Sequence, residues 1–130
     1  MAASLTSWQP AVLSLLRVAA ALAFMAHGTQ KLLNYPPRPG AAPELFSMLG
    51  AAGAIELVGG GLLVLGIFTR PVAFLCAGMM AVGYFTVHAP QSFFPTLNGG
   101  DAALLFCFVF FYLAFAGGGS ISIDALYKRK

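Results

Sequence analysis

Residues 17–33 read RVAAALAFMAHGTQKLL, an almost wholly apolar stretch that nonetheless carries Arg17, His27 and Lys31. Its length and hydropathy suit a membrane-spanning helix, and a charged side chain at bilayer depth costs at least about 2.5–3.5 kcal/mol unless it snorkels or is paired. Something elsewhere in the chain must therefore answer these basic groups. Within the other apolar segments the acids available are Glu56 and Asp101. This reading makes the chain a small helical bundle organised around a buried polar cluster.

Composition supports the same class. Apolar residues make up 59% of the 130-residue chain and charged residues only 8%, against about 25% charged in soluble domains. Such a chain cannot cover a water-facing surface, so an integral membrane protein of one domain, residues 1–130, is expected, with the lipid bilayer as its first partner. The net charge of +3 comes largely from Lys128, Arg129 and Lys130, which read as a cytoplasmic tail and not as a nucleic-acid site. Cys76 and Cys107 lie in apolar runs without CxxC spacing and read as small buried hydrophobes. The start of the chain has no basic n-region, and Arg17 interrupts what would be the apolar core of a signal peptide.

Working outward, Trp8 sits where interfacial aromatics are common, and Pro10 fits the first turn of a helix, where its missing N–H is harmless. The first span is predicted at about residues 10–33. The run Asn34-Tyr35-Pro36-Pro37-Arg38-Pro39-Gly40 cannot remain helical. A second span follows at 50–68, broken only by Glu56; Thr69-Arg70-Pro71 is a turn; the third span covers 72–89. A loop rich in Pro, Asn and Gly leads to the fourth, 101–116, opened by Asp101, whose carboxylate favours a helix N-terminus. The expected fold is all-α, a membrane four-helix bundle with four transmembrane helices. Arg70 and the basic tail lie on the side of the termini, so the distribution of positive charge places both termini in the cytoplasm of a bacterial inner membrane.

Depth and helical phase then bring residues together. His27 and Lys31 fall in the outer third of the first span, Glu56 about six residues, or roughly 9 Å, below the outer end of the second. His88 closes the third, and Asn98 and Asp101 stand at the mouth of the fourth. Arg17 alone lies nearer the cytoplasmic side. His27 and Lys31 are four apart and share a face; Gly53, Glu56 and Gly60 share another, so the carboxylate emerges between small residues that allow close helix approach. Glu56 is expected to pair with Lys31 or with protonated His27. Each group has a plainer reading as well: Lys31 and Arg17 snorkelling to the interface, His27 as a core histidine, His88 as an interface residue, Asp101 as a helix-start carboxylate. No HExxH or CxxC pattern suggests a metal.

The residues R…AHGTQKLL, IELVGGGLLVLGIFTRPVA, His88, NGGDAAL and the closing GGGSISID with Asp124 resemble the DoxX family, from about Leu13 to Asp124. Arg17, His27, Lys31, Glu56, Arg70, His88 and Asp101 match its pattern, with Asp101 standing where relatives commonly carry glutamate. The resemblance implies a small four-helix bacterial membrane protein of a kind associated with thiosulfate:quinone oxidoreductase, with membrane complexes that handle thiols and oxidative stress, and with quinone or catechol reduction.

The functional expectation joins both lines: a membrane subunit of a redox complex that binds a quinone or similar lipid-soluble substrate in a polar pocket of the outer leaflet. His27 and Glu56 would exchange protons, and Arg17, Lys31, His88, Asn98 and Asp101 would hold the substrate. No electron carrier is evident in the chain, so a flavin, a haem or a redox partner protein would supply electrons, and the glycines of the second span suit a homo-oligomer. The alternatives are a small-solute or proton pathway, and a non-catalytic scaffold whose ion pair fixes helix register.

Overall fold

The computed structural model describes residues 2–130. A short helix, α1 (Ala2–Ser7), precedes α2 (Gln9–Leu33), the longest element, with Pro10 in its first turn. Asn34 in the left-handed region ends α2, its N–H turning back to Thr29 O. The proline-rich loop leads to α3 (Met48–Leu65), which starts two residues before the predicted span because Ser47 Oγ accepts from Gly50 N at 3.1 Å. Gly66, at φ 70°, stops α3 before the predicted end at 68, in the backbone conformation that glycine adopts at least cost.

Helix α4 (Thr69–Gly83) begins three residues earlier than the hydropathy suggests. The cause is distant in sequence: Asp124 caps it from the other end of the chain. Its final turn, Tyr84–His88, widens to π-helical spacing, with Ala89 N bonded to Tyr84 O at 2.9 Å. A single turn, α5 (Pro95–Asn98), leads into α6 (Asp101–Ala116), whose bounds equal those read from the sequence. A glycine-rich loop then turns back to α7 (Ile123–Lys128), capped by Ser122 Oγ.

Helices α2, α3 and α4 with its π turn are each long and apolar enough to cross a membrane; α6 is equally apolar but has 16 residues. Only 22–33% of each long segment is buried within the protein, so most of each helix presents side chains such as Leu22, Val58, Phe74 and Val82 to its surroundings. Those surroundings are hydrocarbon for a multi-pass membrane protein, and the narrow buried stripe is all that holds the helices together.

The closest packing is α2 on α3 and α4 on α6. Between α2 and α3 the contact is backbone to backbone: a Cβ added at Gly28 would stand 2.5 Å from Leu57 N, and one at Gly60 would stand 2.8 Å from Met25 Cβ. Phe24 joins the two pairs, its ring edge-on to Phe110 at 4.8 Å and to Phe106 at 5.5 Å. Leu63, Ala73, Cys76, Ala77 and Leu113 complete a thin core.

Candidate functional site

Lys31 and Glu56 form an ion pair across the α2–α3 seam, Lys31 Nζ donating to Oε1 at 2.6 Å and to Oε2 at 2.8 Å. The glycines permit it. Gly53 brings α3 so near that a Cβ there would lie 3.0 Å from Lys31 Cβ, and Glu56 follows one turn deeper. The Glu56 side chain is 4% exposed and that of Lys31 18%. The acid is sealed inside, while part of the Lys31 side chain stays accessible. Glu56 lies eight residues into α3, about 12 Å along the helix, and Lys31 reaches inward to it instead of snorkelling.

His27 does not share this pair. It is exposed and lies edge-on to Phe106 of α6, centroids 5.8 Å apart. One helical turn separates His27 from Lys31, but their side chains diverge, one toward α6 and the other toward α3.

A second polar group closes the same end of the bundle. Asn98, buried, donates through Nδ2 to Ser92 O at 2.9 Å and to Tyr84 Oη at 3.2 Å, and its Oδ1 accepts from Gly100 N at 2.8 Å. His88 Nδ1 faces Asn98 O at 3.0 Å. A carbonyl can only accept, so Nδ1 carries the proton and a neutral ring leaves Nε2 as its acceptor. The π turn places Tyr84 and His88 together over the α5 loop; π-helical turns occur often at functional sites. Tyr84 was not singled out by the sequence reading, although its position four residues before His88 was a signal. Asp101 is exposed in the first turn of α6, as a helix-start carboxylate is.

Arg17 lies at the opposite end. It is 1% exposed and donates to Gly118 O, to Ile121 O at 2.8 Å and to Val64 O at 3.3 Å. Fourteen residues of α2 separate it from Lys31, about 21 Å, so Arg17 and Lys31 cannot hold one small molecule between them. Ser14 completes this knot, its Oγ donating to Gly118 O at 3.2 Å and accepting from Ile121 N at 2.9 Å. Arg70 donates to Phe115 O at the end of α6.

Asp124 accepts from Phe68 N at 2.9 Å and Thr69 N at 2.8 Å, which caps α4. Partial burial raises its pKa, but the bonds from Thr69 and Phe68, with Lys128 nearby, outweigh that and hold the carboxyl below its ordinary range. The sequence reading missed Ser14 and the capping role of Asp124, because both act on segments far away in the chain.

Both cysteines are free thiols, and among the described residues no three His, Cys, Asp or Glu side chains gather as metal ligands. The family model described as DoxX matches residues 12–89. A protein from Haemophilus influenzae, itself described as uncharacterised, is 40% identical over 134 residues, covering 98% of each chain. No solved structure matches.

Proposed function

The chain belongs to the DoxX family, and from that premise we propose that it is the membrane subunit of a redox complex, binding a quinone or similar small lipid-soluble molecule beside Lys31. In this reading it crosses a bacterial inner membrane four times with both termini in the cytoplasm. Arg70 stands at the end of the bundle that holds the termini and the basic tail, whereas Arg38 lies in the loop at the far end; that bias supports the orientation. The 16 residues of α6 span about 24 Å, enough for a locally thinned bilayer.

The observation that carries the functional reading is the asymmetry of the ion pair. Glu56 is enclosed and both its oxygens accept from Lys31 Nζ, whereas the Lys31 side chain keeps part of its surface accessible. A fixed cation in a medium of low dielectric stabilises negative charge on an oxygen far more than it would in water. Quinone reduction builds such charge: two electrons and two protons convert the two carbonyls to hydroxyls. A partner's flavin or haem would supply the two electrons; Lys31 steadies the oxygen on which charge builds, and His27, one turn deeper and exposed, relays the two protons one after the other. His88 and Asp101 stand at the rim. Arg17 and Asn98, each engaged by backbone groups, keep the fold in place.

A second reading rests on the same pair. Because Glu56 has both oxygens satisfied and the α2–α3 seam is built of glycines, the pair also suffices as a register pin in a non-catalytic scaffold. Titration of a short-chain quinone into the protein in nanodiscs separates the two. Site binding predicts an affinity about tenfold lower in Lys31→Gln and unchanged in Arg17→Lys, with helicity intact in both. Equal affinity for wild type and Lys31→Gln overturns the quinone site and leaves the scaffold.

A further inference from the structure

The end of the bundle that carries the termini holds an open groove of about 1000 Å³ between α1, α2, the end of α6 and α7. One wall is apolar, with Leu13 and Leu16 of α2. The other carries Arg70, Lys128 and Tyr112. We propose that this groove is a binding site for a glycerophospholipid with an anionic headgroup, its phosphate held by Arg70 and Lys128 and its acyl chains lying along the α2 wall.

Charge on the groove wall is arranged for an anion. Asp124, the acid that lines it, has both oxygens bonded to the N–H groups of Phe68 and Thr69 and lies near Lys128, which leaves two basic side chains to one acid on the groove wall. No ion pair joins Lys128 or Arg70 to an acid among the described residues. Arg70 is held in position by its bond to Phe115 O and by packing over Gly117, where an added Cβ would lie 3.5 Å from Nη2 and 3.6 Å from Nε. Its other N–H groups are available to a phosphate, which guanidinium recognises in a two-pronged manner.

Position selects the kind of anion. The groove includes exposed Tyr112, and exposed Trp8 lies in sequence between Thr6 and Gln9 of its lining; both are aromatic types that favour the headgroup level, and basic pockets between helices at this level suit anionic lipid headgroups. Free phosphate would leave the apolar wall uncovered, and a zwitterionic lipid would bring its own amine against Arg70 and Lys128. The proposal does not depend on the quinone reading, because the groove lies at the end opposite to Lys31.

Trp8 is the only tryptophan in the chain and immediately precedes Gln9 of the groove lining, which makes it the probe. Full-length protein is reconstituted in phosphatidylcholine vesicles containing either brominated phosphatidylglycerol or brominated phosphatidylcholine, and quenching of Trp8 fluorescence is followed. Half-maximal quenching is expected at a mole fraction of the anionic lipid on the order of tenfold lower. That preference is expected to disappear in the Arg70→Gln, Lys128→Gln double variant and to persist in Arg129→Gln, Lys130→Gln, which removes equal charge from outside the groove.

Equal quenching by both lipids in the wild type overturns the proposal, as does loss of preference in the tail variant, which would reveal diffuse attraction. Relief of the anionic preference by millimolar inorganic phosphate would assign the groove to free phosphate and overturn the lipid occupant. If the double variant does not fold, Lys128→Gln alone, on a short surface helix, is expected to reduce the preference about threefold, and an unchanged preference overturns the assignment.

Discussion

Lys31 and Glu56 lean toward each other along the bundle axis as well as across it. Side chains on a helix tilt toward its N-terminus. Helix α2 runs toward the loop end and α3 runs back, so Lys31 is tilted inward and Glu56 outward. The geometry of antiparallel helices thus brings together two groups whose Cα atoms sit at different depths, and the ammonium ends 2.6 and 2.8 Å from the two carboxylate oxygens. The same tilt explains why Lys31 turns away from the headgroups despite lying two residues from the end of α2.

Removing one partner of this pair strands the other. Lys31→Met is expected to destabilise the protein by about 3–5 kcal/mol, because Glu56 would remain buried without a counter-charge. Adding Glu56→Leu to that variant is expected to restore most of the loss. Reversible unfolding in mild detergent, run as a double-mutant cycle, measures both; a loss that the second substitution fails to reverse contradicts the account.

The glycines of α3 and α2 are not equivalent. An added methyl at Gly28 meets the backbone at Leu57 N and Gly53 O, at 2.5 and 2.8 Å, and backbone cannot move aside without parting the helices. Gly28→Ala should therefore cost about 1–3 kcal/mol. Nothing lies within 4 Å of the corresponding position at Gly61. Gly61→Ala should instead stabilise α3 by about 0.5–1 kcal/mol through the lower entropy of the unfolded chain. Thermal denaturation of the two variants side by side should show shifts of opposite sign.

Asp124 ties stability to acid pH. Its carboxyl titrates below the ordinary value of 3.8 because the charged form is bonded to Phe68 N and Thr69 N. A group whose folded pKa is depressed contributes stability that is fully present above its unfolded pKa and is lost as pH falls through the folded one. The wild type should thus lose this contribution only in strong acid, below about pH 4, whereas Asp124→Ala should lose about 0.5–2 kcal/mol at neutral pH and show a flatter acid limb. Midpoints of unfolding between pH 3 and 7 provide the comparison.

Arg17 is a brace, and its removal should be felt in stability alone. Arg17→Met deprives Val64 O and Ile121 O of their side-chain donor and leaves Gly118 O with Ser14 Oγ alone, and each buried carbonyl left unsatisfied costs about 1–3 kcal/mol. The total will fall short of the sum, since water can enter this end. Limited proteolysis should cut the loop at 117–122 faster in the variant, while any ligand affinity that depends on Lys31 stays as in the wild type. A large loss of that affinity in a folded Arg17→Met would contradict the division of the two ends.

Apolar runs and their breaks were enough to show where the helices lie, because crossing hydrocarbon demands long uninterrupted apolar segments and the loops carry proline and glycine. Residues 101–116 were read to the residue for that reason. That Glu56 would pair with a base of α2 was legible too, since a buried acid needs a counter-charge; the choice of Lys31 over His27 came only with the packed structure. Local sequence could not reveal which way a side chain turns once several neighbours compete. His27 and Lys31 share a nominal helix face, yet packing sends one against Phe106 and the other into the glycine seam. Nor could it reveal that Asp124 starts α4, that Arg17 and Ser14 hold the 117–122 loop, or that Tyr84 reaches Asn98 through a π turn. Each of these is a bond between segments far apart in the chain, and only the packed bundle brings donor and acceptor within reach.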